Sequence, residues 1–403
     1  MDNGKDSTEI ITEKRFNDLI LASRIGGFPL NIKNSSILRS IYNVIISLCF
    51  YSVYVAELLE AYNSSELRQA MKIVRVIALH TYILIIQLNL RFRKDAFYSL
   101  LRLTEMFHWE DLSKLDSETG RLTIAGWIPR IQKILRRITM VYLASHITQR
   151  AIVAITEHEL MFIGWYPIDT STSPQFEIIY LTQIFTTVLL ASVFHTFLYM
   201  YCIPVCIACS QLDSVKENLM HIQQKYDSSS EENESNCKTE REMQKKLNQC
   251  VQQHQKTLRF LQAIEATLNL PLCGMLLVLQ LSLCIAAFSV ITSWGDVVDI
   301  LQGVLFYVLT MMLVCTYCVL GSLLTEKYES VREAAWASDW VGAPVSYQRC
   351  ILLIIAKSNK EFTLTAGKFV SLSNSTMMNM LNQSLSLFMF LLTMKEKNEA
   401  NLH

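Results

Sequence analysis

The sequence predicts an all-α membrane protein with seven transmembrane helices, a cytoplasmic N-terminus and an extracellular C-terminus. Three observations carry this. The 403 residues are 51% hydrophobic and only 18% charged, with a mean hydropathy of +0.26, where soluble domains carry roughly 25% charge. Apolar residues cluster into windows near the ~20 residues that a bilayer core of roughly 30 Å requires. Lys and Arg alternate between connecting segments, 27 in one set against 3 in the other, the bias expected of cytoplasmic against outer loops.

The elements follow in order. Residues 1–37 are polar and mixed in charge, so a cytoplasmic N-terminal segment is expected, with no cleavable signal peptide and with the first span as insertion signal. Apolar runs at 38–58, 72–90, 135–156 and 176–206 give helices 1–4 of a membrane segment covering 38–206. Residues 207–267 are proline-free and rich in helix formers on either side of the acidic stretch DSSSEENESN. They are read as cytoplasmic helical extensions with a flexible break near 227–236. Within them Met243, Leu247, Val251, Leu258 and Leu261 lie near one stripe, as a packed face requires.

Spans five and six occupy 268–292 and 298–324, within 268–324. Pro204, in span four, and Pro271, in span five, read as breaks near helix ends. The cytoplasmic segment 325–368 contains CILLIIA, too short to cross and closed by Lys357 and Lys360, hence a short helix near 349–357. A seventh span, 369–394, leaves 395–403 as a short extracellular tail.

Side-chain inventory excludes several classes. Basic and acidic residues balance at 36 each, so no nucleic-acid partner is implied. All eleven cysteines fall in spans or cytoplasmic segments, where they stay thiols. The two CxxC spacings, Cys206/Cys209 and Cys315/Cys318, lack a second pair or histidine at ligand distance, so no metal and no cofactor are expected. Glu157-His158-Glu159 likewise lacks a partner set, and no catalytic residues are assigned; the chain reads as no enzyme. Asn63, in NSS after span one, is the one sequon on the outer side and the glycosylation candidate.

The last span raises its own question. Ser375, Asn379, Asn382, Ser386, Phe390 and Thr393 recur at helical spacing on one face, while Met377, Met378, Leu381, Leu385, Phe388, Leu391 and Leu392 fill most of the remainder. Polar groups facing lipid are costly. The face therefore meets either another helix, as hydrogen-bonding glue, or water. Its run along nearly the whole helix favours a water-lined path, which a single helix cannot enclose, so copies must share an axis. Phe390 with Thr393 and Met394 would form an apolar constriction near the outside.

The segment before that span resembles the C-terminal signature of insect odorant receptors. The matching points are Ala335, Ser338-Asp339-Trp340 and Pro344, the ILLII run, then Leu364-Thr365-Ala366-Gly367 ahead of Phe369. The resemblance implies an odorant-gated, non-selective cation channel whose last helices line the pore. Its partner would be a co-receptor subunit in a hetero-oligomer, a tetramer in that family. The cytoplasmic helices would pack as an anchor region, with Trp340, Leu364, Thr365 and Gly367 as assembly positions. The setting implied is the plasma membrane of sensory neurons, in cilia or dendrite. Leu387 and Thr393 stand where the co-receptor carries a Tyr- and Gln-bearing ending, so the chain resembles a ligand-tuning subunit.

The family's ligand site implies a pocket for small volatile odorants in the outer half of the bundle. By position it would draw on His80 and Tyr82, on Ser145, His146, Gln149 and Val153, on Tyr180, Gln183, Ile184 and Thr187, and on Phe306 and Tyr307. Packing alone accounts for many such aromatics. His146 and Gln149 are intramembrane polar groups that call for a cavity or partner, and Arg150 has Glu157 two turns on as an alternative. Three further readings compete. A G-protein-coupled chemoreceptor needs the opposite orientation and lacks its usual Asp/Glu-Arg-Tyr and NPxxY triplets here, and a gustatory-receptor-like channel lacks its TYxxxxxQ ending. A secondary transporter would show internal repeats.

Overall fold

The computed structural model describes residues 15–28, 30, 37–116, 120–229, 236–292, 297–338, 340–341 and 343–402. Residues 1–14 of the expected N-terminal segment, Asp339 of the signature and 230–235 of the expected break lie outside the described residues.

Ten α-helices, two short 3-10 helices (Thr104–Met106 and Trp109–Asp111) and one small hairpin make up the regular structure among the described residues. Helix α1 (Asn17–Ile25) ends at Gly26-Gly27, where Gly27 takes φ +77°, a conformation that only glycine adopts without strain. Then come α2 (Ile37–Asn63), α3 (Leu67–Phe92) and the short α4 (Lys94–Leu103). Phe97, Leu100 and Leu101 of α4 are buried at three- and four-residue spacing. Arg93, between α3 and α4, donates to the carbonyls of Ala266 and Thr267 at 2.8 and 3.1 Å. Helix α5 (Ile124–Glu157) starts at Thr123, whose hydroxyl accepts from the Gly126 amide at 3.2 Å, an N-cap in the usual sense.

The long helices set the architecture. Helix α6 (Gln175–Ser229) has 55 residues, α7 (Asn236–Thr292) has 57 and α8 (Val297–Ala337) has 41. At 1.5 Å per residue these are roughly 82, 85 and 60 Å long, far beyond a bilayer core. The expected cytoplasmic extensions of spans four and five are thus continuous with the spans. Pro204 and Pro271, read from sequence as breaks near helix ends, instead lie inside α6 and α7. Each proline costs its helix one backbone hydrogen bond, and the buried neighbours Tyr199, Tyr201, Leu268 and Leu272 hold the helix through it.

Helix α6 is the centre of the bundle. It packs against α1, α2, α3, α5, α7 and α8, and 83% of its apolar window is buried, against 6% for the peripheral α5. Among the described residues, six helices are long and apolar enough to cross a membrane: α2, α3, α5, α6, α7 and α8.

The α7 extension packs within its own chain. Met243, Leu247, Cys250, His254, Thr257, Leu261, Ile264 and Leu268 are buried at alternating steps of four and three; Cys250 Sγ donates to the Val215 carbonyl of α6 at 3.6 Å, and His254 Nε2 lies 3.3 Å from Ser358 Oγ. Of the expected stripe, Val251 and Leu258 are only half-buried. The true seam passes through Cys250, His254 and Thr257, smaller or polar residues that a search for apolar side chains passes over.

Helix α9 (Val345–Ser358) is the short helix expected near 349–357, begun earlier by Pro344 at its N-cap. Its buried Tyr347, Ile351, Ile354 and Ile355 face α7 and α8. Strands β1 (Thr365–Ala366) and β2 (Val370–Ser371) then form a hairpin around Gly367 and Lys368, at φ +65° and +61°. Helix α10 (Asn374–Leu402) follows. It begins five residues later than the 369 expected, because 370–371 pair as a strand and Ser373 caps the helix. The Ser373 carbonyl accepts from Met377 N–H at 3.1 Å and its hydroxyl from Thr376 N–H at 3.2 Å.

Candidate functional site

Two places on this frame carry chemistry beyond packing. The first lies where the loop 158–174 folds back onto α2, α3, α5 and α6. Trp165 N–H donates to the Ala56 carbonyl at 3.0 Å. Gly164 lies so close to α2 that a Cβ there would sit 3.1 Å from that of Ala56. Gln183 of α6 reads the backbone of Phe162 as a strand would: its Oε1 accepts from Phe162 N–H at 3.2 Å and its Nε2 donates to Phe162 O at 2.9 Å. The same amide reaches the Tyr166 hydroxyl at 3.1 Å.

So fixed, the Phe162 ring stands between two histidines. The ring of His80 meets it edge-on, with centroids 5.0 Å apart at 76°, and His146 lies nearly parallel at 6.0 Å and 26°. His146 stacks in turn on Tyr142 at 5.7 Å. Nδ1 of His80 is 2.6 Å from Oε2 of Glu57, with side-chain exposures of 0% and 1%. With Glu57 ionised, the hydrogen of this contact sits on Nδ1, which donates to the carboxylate. Four polar atoms here are buried without a partner among the described residues: Glu57 Oε1, His80 Nε2, His146 Nδ1 and Tyr180 Oη. Natural interiors leave few such atoms.

Of the positions expected in the pocket, His80, His146 and Gln183 converge on Phe162, and Tyr180 stacks on Phe176 one turn before Gln183. Val153, Ile184 and Phe306 are half-buried, whereas Ser145 and Gln149 are exposed. Thr187 donates to the Gln183 carbonyl at 3.0 Å. Tyr82 lies apart: its hydroxyl is 2.8 Å from that of Tyr317, whose carbonyl accepts from Tyr201 at 2.6 Å. Tyr307 points toward α10, its hydroxyl 3.1 Å from Ser384 Oγ. Glu57 was legible as a carboxylate at the edge of an apolar run; Phe162, in a loop, carried no signal.

The second place is α10. Ser375, Asn379, Asn382, Ser386, Phe390, Thr393 and Met394 are all exposed, Phe390 at 59% and Met394 at 44%. The opposite face, with Met380 at 6% and Ser384 at 1%, packs on α7 and α8. Among the described residues, the polar line meets no other helix of its own chain.

Below it, Thr365 ties the hairpin to α7. Its N–H donates to Glu265 Oε2 at 2.9 Å and its hydroxyl to Oε1. Asn269 Nδ2 donates to the same carboxylate at 3.0 Å and to Thr365 Oγ1 at 2.8 Å, while Gly367 N–H donates to the Asn269 carbonyl at 3.0 Å. Leu364 is fully buried, Trp340 is half-buried 6.2 Å from the Trp336 ring, and Asn63 is exposed at the end of α2.

Long apolar helices around a buried central one, with an aromatic cluster at one end and an unpartnered polar face, define a multi-pass α-helical membrane protein. The sequence profile described as 7tm Odorant receptor matches residues 66–385. The chain belongs to that family.

Among curated relatives, Odorant receptor 85b of Drosophila melanogaster is 30% identical over 145 residues, 36% of this chain and 37% of that protein. Odorant receptor 85c of the same fly is 27% identical over 152 residues, 37% of this chain and 38% of that one. The chain thus spans little more than a third of the length of these relatives. The fold of the insect olfactory receptor OR5 from Machilis hrabei, solved in complex with eugenol, superposes with a TM-score of 0.72 at 15% identity. That match covers 96% of this chain and 99% of the other.

Proposed function

We propose that the protein is the ligand-tuning subunit of an odorant-gated, non-selective cation channel. In this reading α10 is the seventh crossing, the N-terminus is cytoplasmic and the C-terminus outside. Copies of α10, from this chain and a co-receptor in a hetero-tetramer, bring Ser375, Asn379, Asn382 and Ser386 to a shared axis. Phe390, Thr393 and Met394 narrow the path near its outer end, and the absence of carboxylates along the line makes selectivity among cations weak. Small volatile ligands bind at the outer cluster around Phe162, and Trp340, Leu364, Thr365 and Gly367 belong to the cytoplasmic anchor. The setting is the plasma membrane of sensory neurons.

The observation that carries this reading is the exposed polar line on α10, backed by a buried apolar face. Such a line is costly against lipid and unpartnered within the chain, and a water-filled axis between copies satisfies it. The test is current recording from cells expressing the chain with and without the family's co-receptor, across a panel of volatiles. Odour-evoked current only with both subunits is expected, and Phe390→Ala raises resting leak. A response that depends on GTP, or a leak unchanged by Phe390→Ala, refutes the corresponding part.

A further inference from the structure

We propose that the Glu57–His80 pair forms a subsite selective for a ligand hydroxyl, so that the chain prefers alcohols or phenols to carbonyl compounds, acids and hydrocarbons of the same size. The inference rests on the reading that the outer cluster takes a small apolar ligand, and it names that ligand's polar group.

Both side chains are buried, their mutual contact uses only Glu57 Oε2 and His80 Nδ1, and Glu57 Oε1 and His80 Nε2 are left without partners. Phe50 and Phe162 meet the imidazole edge-on at 6.0 and 5.0 Å, so the polar pair is flanked by aromatic rings. Burying half-satisfied carboxylate and imidazole groups is unfavourable unless something completes them.

The protonation states narrow what that partner is. With His80 neutral and its Nδ1 hydrogen committed to Glu57, the free atoms are two acceptors and require a donor. With His80 protonated, they are one acceptor and one donor. With His80 protonated, a hydroxyl satisfies both atoms, donating to Glu57 Oε1 and accepting from Nε2–H; with His80 neutral, it donates to one of the two acceptors. An aldehyde or ketone only accepts and leaves the carboxylate oxygen bare. A carboxylate brings like charge against Glu57. The aliphatic or aromatic remainder of the ligand then lies against Phe50 and Phe162, where buried area supplies affinity.

The test is thermal stabilisation of the purified full chain in lipid nanodiscs by 1-octanol, octanal, octanoic acid and octane. Expected is half-maximal stabilisation by octanol at roughly tenfold to hundredfold lower concentration than by the others, the range for one unmade buried hydrogen bond to a charged group. Glu57→Gln brings the four probes to within about threefold. His80→Asn, whose amide still donates to Glu57 while Nε2 is removed, serves as the second variant and reduces the octanol preference. Equal stabilisation by all four probes, none by any, or an octanol preference that survives both substitutions overturns the subsite. Evoked current recorded in parallel separates the two ideas: octanol-selective stabilisation without current under any condition counts against the channel reading alone.

Discussion

Replacing Gly367 by alanine tests how tightly the hairpin is seated beneath the last helix. Gly367 holds φ +65°, which costs a residue with a Cβ about 1–2 kcal/mol. The added methyl would also lie 2.7 Å from Cys273 Sγ and 3.1 Å from its Cβ, on α7. Overpacking of this kind costs about 1–3 kcal/mol, so Gly367→Ala loses about 2–5 kcal/mol in all. The two contributions separate in a double-mutant cycle. Cys273→Ala alone removes one half-buried sulfur and costs about 1 kcal/mol. In the double variant the closest contact is gone while the backbone strain remains, so the loss is about 1–3 kcal/mol smaller than the sum of the singles. Thermal stability of the four proteins, followed by the fraction eluting as folded protein from size exclusion after heating, reads the cycle. Strict additivity would show that alanine at 367 does not press on Cys273 and that the hairpin relaxes away from α7.

Three further outcomes follow from named contacts. His254, in the α7 extension outside the membrane-spanning part, is held by burial at a pKa of about 4, below its ordinary 6.5. The folded chain then binds fewer protons than the unfolded one between those values. Stability is full above 6.5, falls by about 2 kcal/mol at pH 5 and reaches its maximal loss below 4; His254→Gln flattens that component of the thermal midpoint against pH, and parallel profiles would refute it. Glu265→Gln weakens charge-assisted bonds to Thr365, so deuterium uptake across 364–372 accelerates about 10–100-fold; unchanged uptake rejects the link. Tyr307→Phe removes the bond to Ser384 between α8 and α10, worth about 1 kcal/mol, and shifts the resting open fraction about fivefold while ligand-induced stabilisation stays put. A shifted ligand midpoint would return Tyr307 to the pocket.

The membrane helices were legible because lipid imposes a one-dimensional signal: length, apolarity and flanking charge. The line from Ser375 to Thr393 could be read for a related reason, since polar side chains at helical spacing in an apolar run demand a partner. What was hidden depended on contacts distant in sequence. The pairing of Glu57 with His80, or the seat of Phe162 between His80 and His146, follows from how three helices and a loop meet. Tyr82 and Tyr307 look like pocket residues in sequence, but their hydroxyls are engaged by Tyr317 and Ser384. The start of α10 was misjudged because Phe369, Val370 and Leu372 are as apolar as the helix itself, and only the turn at Gly367 and the cap at Ser373 mark the boundary.

The unbroken course of α6 and α7 has a mechanical consequence. Each runs as one helix, 55 residues in α6 and 57 in α7, through its internal proline. A tilt of one degree about one end of a rod some 82 Å long carries the other end through roughly 1.4 Å. Displacements of that order separate alternative packings at helix interfaces. A slight lean at one end therefore arrives, without a chain of side-chain handovers, at the opposite end of the same helix.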